Sequence, residues 1–233
     1  KSHREFVRTR ADQIKFKYWG KTNIVFHSRD IGKNENAFSI FKNRPSLKEG
    51  FLNDLFTMLK VSSIAIFAIV VDKQIARKKG WNSVKTIKET ARKLFYHFIV
   101  WLLAMGDAKG KINLESATSE KDAYYLREFS YFLSPGCKEL LVDYKIIQDI
   151  VTSISFVTKR NHDIEEQIAD LFAYAIKCKF MRLVNKKAYK IGSYEDRMIK
   201  ILEGKLFKKP RIARERKMKF YETIDPFCII PRK

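Results

Sequence analysis

The sequence lacks the spacing signals of several common protein classes. Its three cysteines, Cys137, Cys178 and Cys228, are far apart and odd in number, with no C-x-x-C pair. That argues against a disulfide framework and for a reducing, cytoplasmic setting. The four histidines, His3, His27, His97 and His162, show no zinc-type spacing with those cysteines, which argues against a structural zinc site. No apolar run reaches the roughly 18–20 residues that span a bilayer. The two most apolar stretches, Val61–Val71 and Leu94–Met105, are shorter and closely flanked by charge; they read as a buried strand and a buried helix, with no membrane partner. There is no internal repeat, no low-complexity linker and no signal-peptide pattern. The chain opens at Lys1 rather than Met, so a piece upstream of it is expected.

Acidic residues are also in short supply. Against 47 Lys and Arg stand only 26 Asp and Glu, a formal net charge of +21. Such an excess favours polyanions, with DNA or RNA first among them; the alternatives are a solvated basic surface, or a subunit of a larger assembly or homo-oligomer that meets an acidic protein. With 45% hydrophobic and 13% aromatic residues the chain has the material for a real core, and disorder is excluded as its general state.

Periodicity predicts helices over about 1–20 (closed by Gly20), 47–60, 83–106, 120–133, 165–180 and 193–207. Strands are expected at 63–73, 110–117 and about 150–158, with 22–28 as a further short one. Ser83 and Asp163 are candidate N-caps. The alternation of strand and helix predicts an α/β fold. We expect one domain over 1–204 and a basic C-terminal extension over 205–233.

Three carboxylate contexts draw attention. In "INLES" strand alternation sends Ile112 and Leu114 to one face and Asn113 and Glu115 to the other. In "EEQIADLFAYAIKCK" the apolar stripe Ile164, Ile168, Leu171, Phe172, Ala175 and Ile176 is flanked by a polar one. Asp163, Gln167, Asp170 and Tyr174 there fall within about 60° on a helical wheel. In "FHSRD", His27 and Asp30 follow an apolar run. Each has a plain structural alternative: a strand-end acid for Glu115, an ion pair for Asp170 and a loop hydrogen bond for His27.

The same segments, in the same order, resemble the family called domain of unknown function 3800. "EEQIADLFAYAIKCK" is similar to its L-Q-[IL]-A-D-L-[IV]-A-Y-A helix. "FKYWGKTNIVFHSRDIGKNENAFSIF" resembles the segment around its H-S-x-[DE]-I turn. "FAIVVDKQ" resembles a central strand, and "INLESATSEKDAYYLREF" an E-S-R…E-D stretch. The resemblance covers roughly residues 12–180. It implies a ribonuclease-H-like α/β fold and a nuclease-type site using Mg²⁺ or Mn²⁺, with Glu115 and Asp170 as catalytic metal ligands. Gln167, His27 and Asp30 would support them, and the Glu115 and Asp170 carboxylates would stand within about 8 Å of each other, as a two-ion site permits. By the same resemblance the setting is prokaryotic, in phage defence or a mobile element. Two departures stand out: no "D-E-S-G" strand occurs in residues 1–26, and Ala117 stands where Arg is common. The alternative on the same fold is a catalytically inactive protein that binds nucleic acid or a partner. Independently, the basic stretch Lys205, Lys208, Lys209, Arg211, Arg214, Arg216, Lys217 and Lys219 is suited to phosphate contact, or else is a solvated tail.

Overall fold

A computed structural model describes residues 3–106, 108–137, 139–140, 142–158, 163–208 and 224–232. The architecture is mixed α/β, dominated by helices, with two small parallel sheets among the described residues. The chain forms two compact units, each assembled from two stretches: Lys1–Ile66 with Asn161–Leu206, and Phe67–Arg160 with Phe207–Lys233.

The first unit is helical. It contains α1 (His3–Trp19), the short α2 (Ser28–Lys33), a 3₁₀ turn (Asn36–Phe41) and α3 (Pro45–Val61), followed after the return of the chain by α8 (Ile164–Val184) and α9 (Tyr194–Lys205). Gly20 ends α1 with φ +68, its N–H donating to the Phe16 carbonyl at 2.8 Å, a left-handed position that suits glycine. Pro45 starts α3 at a position where a missing N–H costs nothing. Phe26, Phe38, Phe41, Phe51 and Phe56 are fully buried together, packed with Ile168, Leu171 and Phe172 of α8. The apolar stripe of α8 is thus its core-facing side, against α1, α2 and α9.

The second unit carries the strands: β1 (Ala68–Val71), α4 (Lys73–Lys78), α5 (Ser83–Met105), β2 (Gly110–Glu115), α6 (Ser119–Phe132), α7 (Tyr144–Ile150), β3 (Val151–Val157) and β4 (Phe227–Ile230). β2 runs parallel to β3, Ile112 opposite Ile154 and Glu115 opposite Val157. β1 runs parallel to β4, Ala68 opposite Phe227. The described end of the 205–233 stretch therefore contributes a strand to this unit. Ala91, Phe95, Ile99 and Leu102 on one side of α5 pack with Phe129, Phe132, Ile147 and Ile150.

Three local expectations need correction. The segment 22–27 forms no strand: it bends at Thr22 and makes no ladder among the described residues, and His27 at its end is extended. Asn82, not Ser83, caps α5: its Oδ1 accepts from the Lys85 N–H at 2.8 Å. Asp163 does occupy the N-cap position of α8, but its side chain makes no capping hydrogen bond.

Candidate functional site

The site grows from the way α8 holds the segment 24–28. Burial alternates along it, with Ile24 and Phe26 inside and Val25 exposed, so every second residue is pulled into the core as in a strand. The backbone N–H groups along one edge need acceptors, and α8 supplies them from side chains. Phe26 donates to Gln167 Oε1 at 2.9 Å, and Ser28 donates to Asp170 Oδ2 at 3.2 Å. Residues three apart on a helix share a face, and their reach matches N–H groups two apart on an extended chain. Ser28 is the first residue of α2, whose N-cap, His27, makes no side-chain capping bond. Asp170 takes over that role from another element, and a carboxylate is well placed at the positive end of a helix.

The same arrangement delivers His27. Its Nδ1 lies 3.3 Å from Asp30 Oδ1 and its Nε2 lies 3.9 Å from Asp170 Oδ2. Asp30 is one turn on from His27 along α2, and its other oxygen accepts from Asn36 Nδ2 at 2.8 Å. Burial alone would raise the Asp30 carboxyl, but the bonds from Asn36 and His27 outweigh it and hold the pKa below the ordinary carboxylate value. An ionised Asp30 fixes the ring proton on Nδ1 and leaves the Nε2 lone pair outward. The His27 side chain is 45% exposed and that of Asp170 42%, so solvent reaches the face between them, whereas Asp30 is only 18% exposed. Behind them, Ser28 Oγ and Tyr194 OH lie 3.0 Å apart. Tyr194 is stacked on Phe56, with ring centroids 5.9 Å apart, and its burial raises the phenol pKa.

Of the residues singled out in the sequence, His27, Asp30, Gln167 and Asp170 come together in the first unit. Glu115 lies in the second unit, exposed at the end of β2, on the face opposite Ile112 as alternation requires. Lys205 is engaged: its ammonium donates to the Lys60 carbonyl at 2.7 Å and to the Ser62 carbonyl, at the C-terminal end of α3. Lys208 is exposed. Lys209, Arg211, Arg214, Arg216, Lys217 and Lys219 lie outside the described residues. Sequence reasoning missed Ser28, Asn36 and Tyr194. Ser28 stood inside the quoted "FHSRD"; Tyr194, far along the chain, gave no signal.

The donors were tested against the divalent ion that the sequence resemblance implies. Among the described residues no group of three or more His, Cys, Asp or Glu side chains is arranged to hold a metal. An ion about 2.1 Å from both His27 Nε2 and Asp170 Oδ2 would subtend roughly 136° between them, far from the near-90° of octahedral Mg²⁺ sites. The described residues therefore do not preform a metal site here. What the cluster presents is an imidazole nitrogen, Nε2, beside a carboxylate on a face that solvent reaches. No family model, no curated protein and no solved structure matches this chain. Among the described residues no helix is long and apolar enough to cross a membrane.

Proposed function

We propose that the protein binds nucleic acid and hydrolyses its phosphodiester bonds, with the Asp30–His27 pair as its acid–base centre. The observation that supports this most directly is the convergence of His27, Asp30 and Asp170, which the sequence carries about 140 positions apart. Asp30 orients the imidazole, so that Nε2 takes the proton of an attacking water or hydroxyl as it approaches phosphorus. The leaving oxygen departs on the opposite side of phosphorus and takes its proton from solvent, while the proton on Nε2 is lost to water. Asp170, across 3.9 Å, stabilises the imidazolium formed in between. The net charge of +21 favours a polyanionic substrate.

The ribonuclease-H-like architecture and the Mg²⁺ or Mn²⁺ requirement belong to this proposal through the sequence resemblance alone. One observation favours a second reading, a catalytically inactive nucleic-acid-binding protein. Gln167 and Asp170 both spend an oxygen on the backbone of Phe26 and Ser28, which is structural work.

A cleavage assay separates the two. Single-stranded and duplex DNA, RNA and hybrid are offered with Mg²⁺, Mn²⁺ or EDTA to wild type, His27→Asn and Asp170→Asn. The proposal expects cleavage by wild type and a loss of about a hundredfold or more in His27→Asn, with nucleic-acid binding retained. Cleavage equal in wild type and His27→Asn sinks the acid–base role. Binding without cleavage under every condition establishes the second reading.

A further inference from the structure

The second unit holds a cleft that the acid–base cluster does not use. It has a volume of about 430 Å³ and lies along α5, between Trp81 before that helix and Pro231 after β4. Its lining is mixed: Trp81, Tyr96 and Pro231 supply the rings, and Lys93 stands among them. Its polar edge is Arg92 with Glu89 and Glu139. Glu89, Arg92 and Tyr96 follow one another at spacings of three and four, which puts them on one face of α5.

Arg92 is unusually well fixed. Its Nε and Nη2 both lie 2.9 Å from Glu128 Oε2, and Glu128 is buried at 4% exposure. The guanidinium also lies 4.3 Å over the Tyr131 ring. A planar group held on two sides loses little freedom on binding a ligand. Its remaining nitrogen, Nη1, stands 3.8 Å from Glu139 Oε1, too far for a hydrogen bond. A rigid donor and a carboxylate acceptor thus stand side by side at the edge of an aromatic cleft.

We infer that this cleft is a binding site for a guanine base. Guanine offers an acceptor at O6, which the Nη1 of Arg92 can reach while Nε and Nη2 stay on Glu128. It also offers N1–H and the 2-amino group as adjacent donors, which one carboxylate takes together. Adenine would set its 6-amino group against Arg92, a donor facing a donor. Stacking on Trp81 or Tyr96 adds attraction that every base shares, of about 1–3 kcal/mol per base. Ammonium groups stand by for the phosphate: Lys85 lies 5.8 Å from the Trp81 ring centroid and Lys93 lies 5.6 Å from that of Tyr96. The base can arrive as a free nucleotide or within a single strand, and the inference holds whether or not the His27 cluster cleaves anything.

The test uses the full chain carrying His27→Asn, in EDTA, so that cleavage is suppressed. Calorimetric titrations with GMP, AMP, CMP and UMP, and with single strands carrying one central guanine or adenine, read the preference directly. The expected result is saturable GMP binding about tenfold or more tighter than the other three, the scale of one bidentate contact. Tighter binding of the guanine strand than of GMP assigns the site to nucleic acid; the reverse assigns it to a nucleotide. Glu139→Gln sits on an exposed residue, and circular dichroism checks that the fold is kept. It should reduce the guanine preference to less than threefold while leaving stacking-driven binding in place. Four nucleotides of equal affinity, no GMP binding, or a preference unmoved in Glu139→Gln would each overturn the inference.

Discussion

At the scale of single residues, Asp170 illustrates how an acid beside a core earns its position. Its oxygen receives the Ser28 N–H and faces the His27 ring at the same time. A conservative change separates these jobs. Asp170→Asn keeps a carbonyl oxygen for Ser28 and removes the charge, so stability should fall by less than about 1 kcal/mol while cleavage, if present, drops. Asp170→Ala removes the acceptor as well and leaves the N–H of Ser28 without its partner, at about 1–3 kcal/mol. Chemical denaturation of both variants checks the difference, and equal stabilities would mean that the capping bond contributes nothing. His97 sits at the other extreme of burial. It is 1% exposed, and its Nδ1 has no hydrogen-bond partner among the described residues. Burial, reinforced by Lys93 and opposed by Asp225, lowers its pKa from 6.5 to about 4. The unfolded chain therefore binds a proton that the folded chain refuses. The stability tied to His97 is complete above pH 6.5 and is lost as the pH falls from 6.5 towards 4, by up to about 3 kcal/mol. Denaturation midpoints across that window should slope downward on acidification in wild type and much less in His97→Gln.

At the scale of elements, the long helices were legible because periodicity and caps agree. Ser193 before α9 accepts from the Asp196 N–H, and Thr118 before α6 accepts from the Lys121 N–H. Strands β2 and β3 were legible from their β-branched alternation. The segment 22–27 has the same alternation yet forms no ladder; the Phe26 N–H goes to Gln167 of α8, and just beyond it the Ser28 N–H goes to Asp170. Local pattern reports which side of a segment is buried, not which groups take its hydrogen bonds. Of the five residues chosen for the acidic site, His27, Asp30, Gln167 and Asp170 lie together, because the motif sets the first two a turn apart at α2 and the helical wheel sets the last two on one face of α8. Asn36 and Tyr194 were not legible, because packing of distant segments places them. Gly110, at the start of β2, offers a test of such packing. A Cβ built there would lie 2.6 Å from Phe98 Cζ and 2.8 Å from Leu102 Cδ1 of α5. Gly110→Ala should cost about 1–3 kcal/mol by overpacking, read as a lower melting temperature. An unchanged melting temperature would show that the two side chains swing aside freely.

At the scale of the whole molecule, charge governs the expected partner. A net +21 over 233 residues predicts oligonucleotide affinity that falls steeply with salt, because each neutralised phosphate releases condensed counterion. The logarithm of the binding constant should fall linearly with the logarithm of salt, by about 0.9 per phosphate contact on duplex DNA. The basic stretch is not uniform in this respect. Lys205 already donates to the carbonyls that end α3, so reversing it would damage the first unit rather than report on binding. Reversal of Lys208, Lys209, Arg211, Arg214, Arg216, Lys217 and Lys219, with Lys205 kept, is the informative variant. If this stretch is the contact surface, the salt slope should shrink by several contacts and affinity at low salt should fall by orders of magnitude, while the melting temperature stays near wild type. A slope unchanged in that variant would move the contact to the rest of the basic surface. Affinity insensitive to salt in wild type would instead return the charge to a solvated surface and remove nucleic acid as the favoured partner.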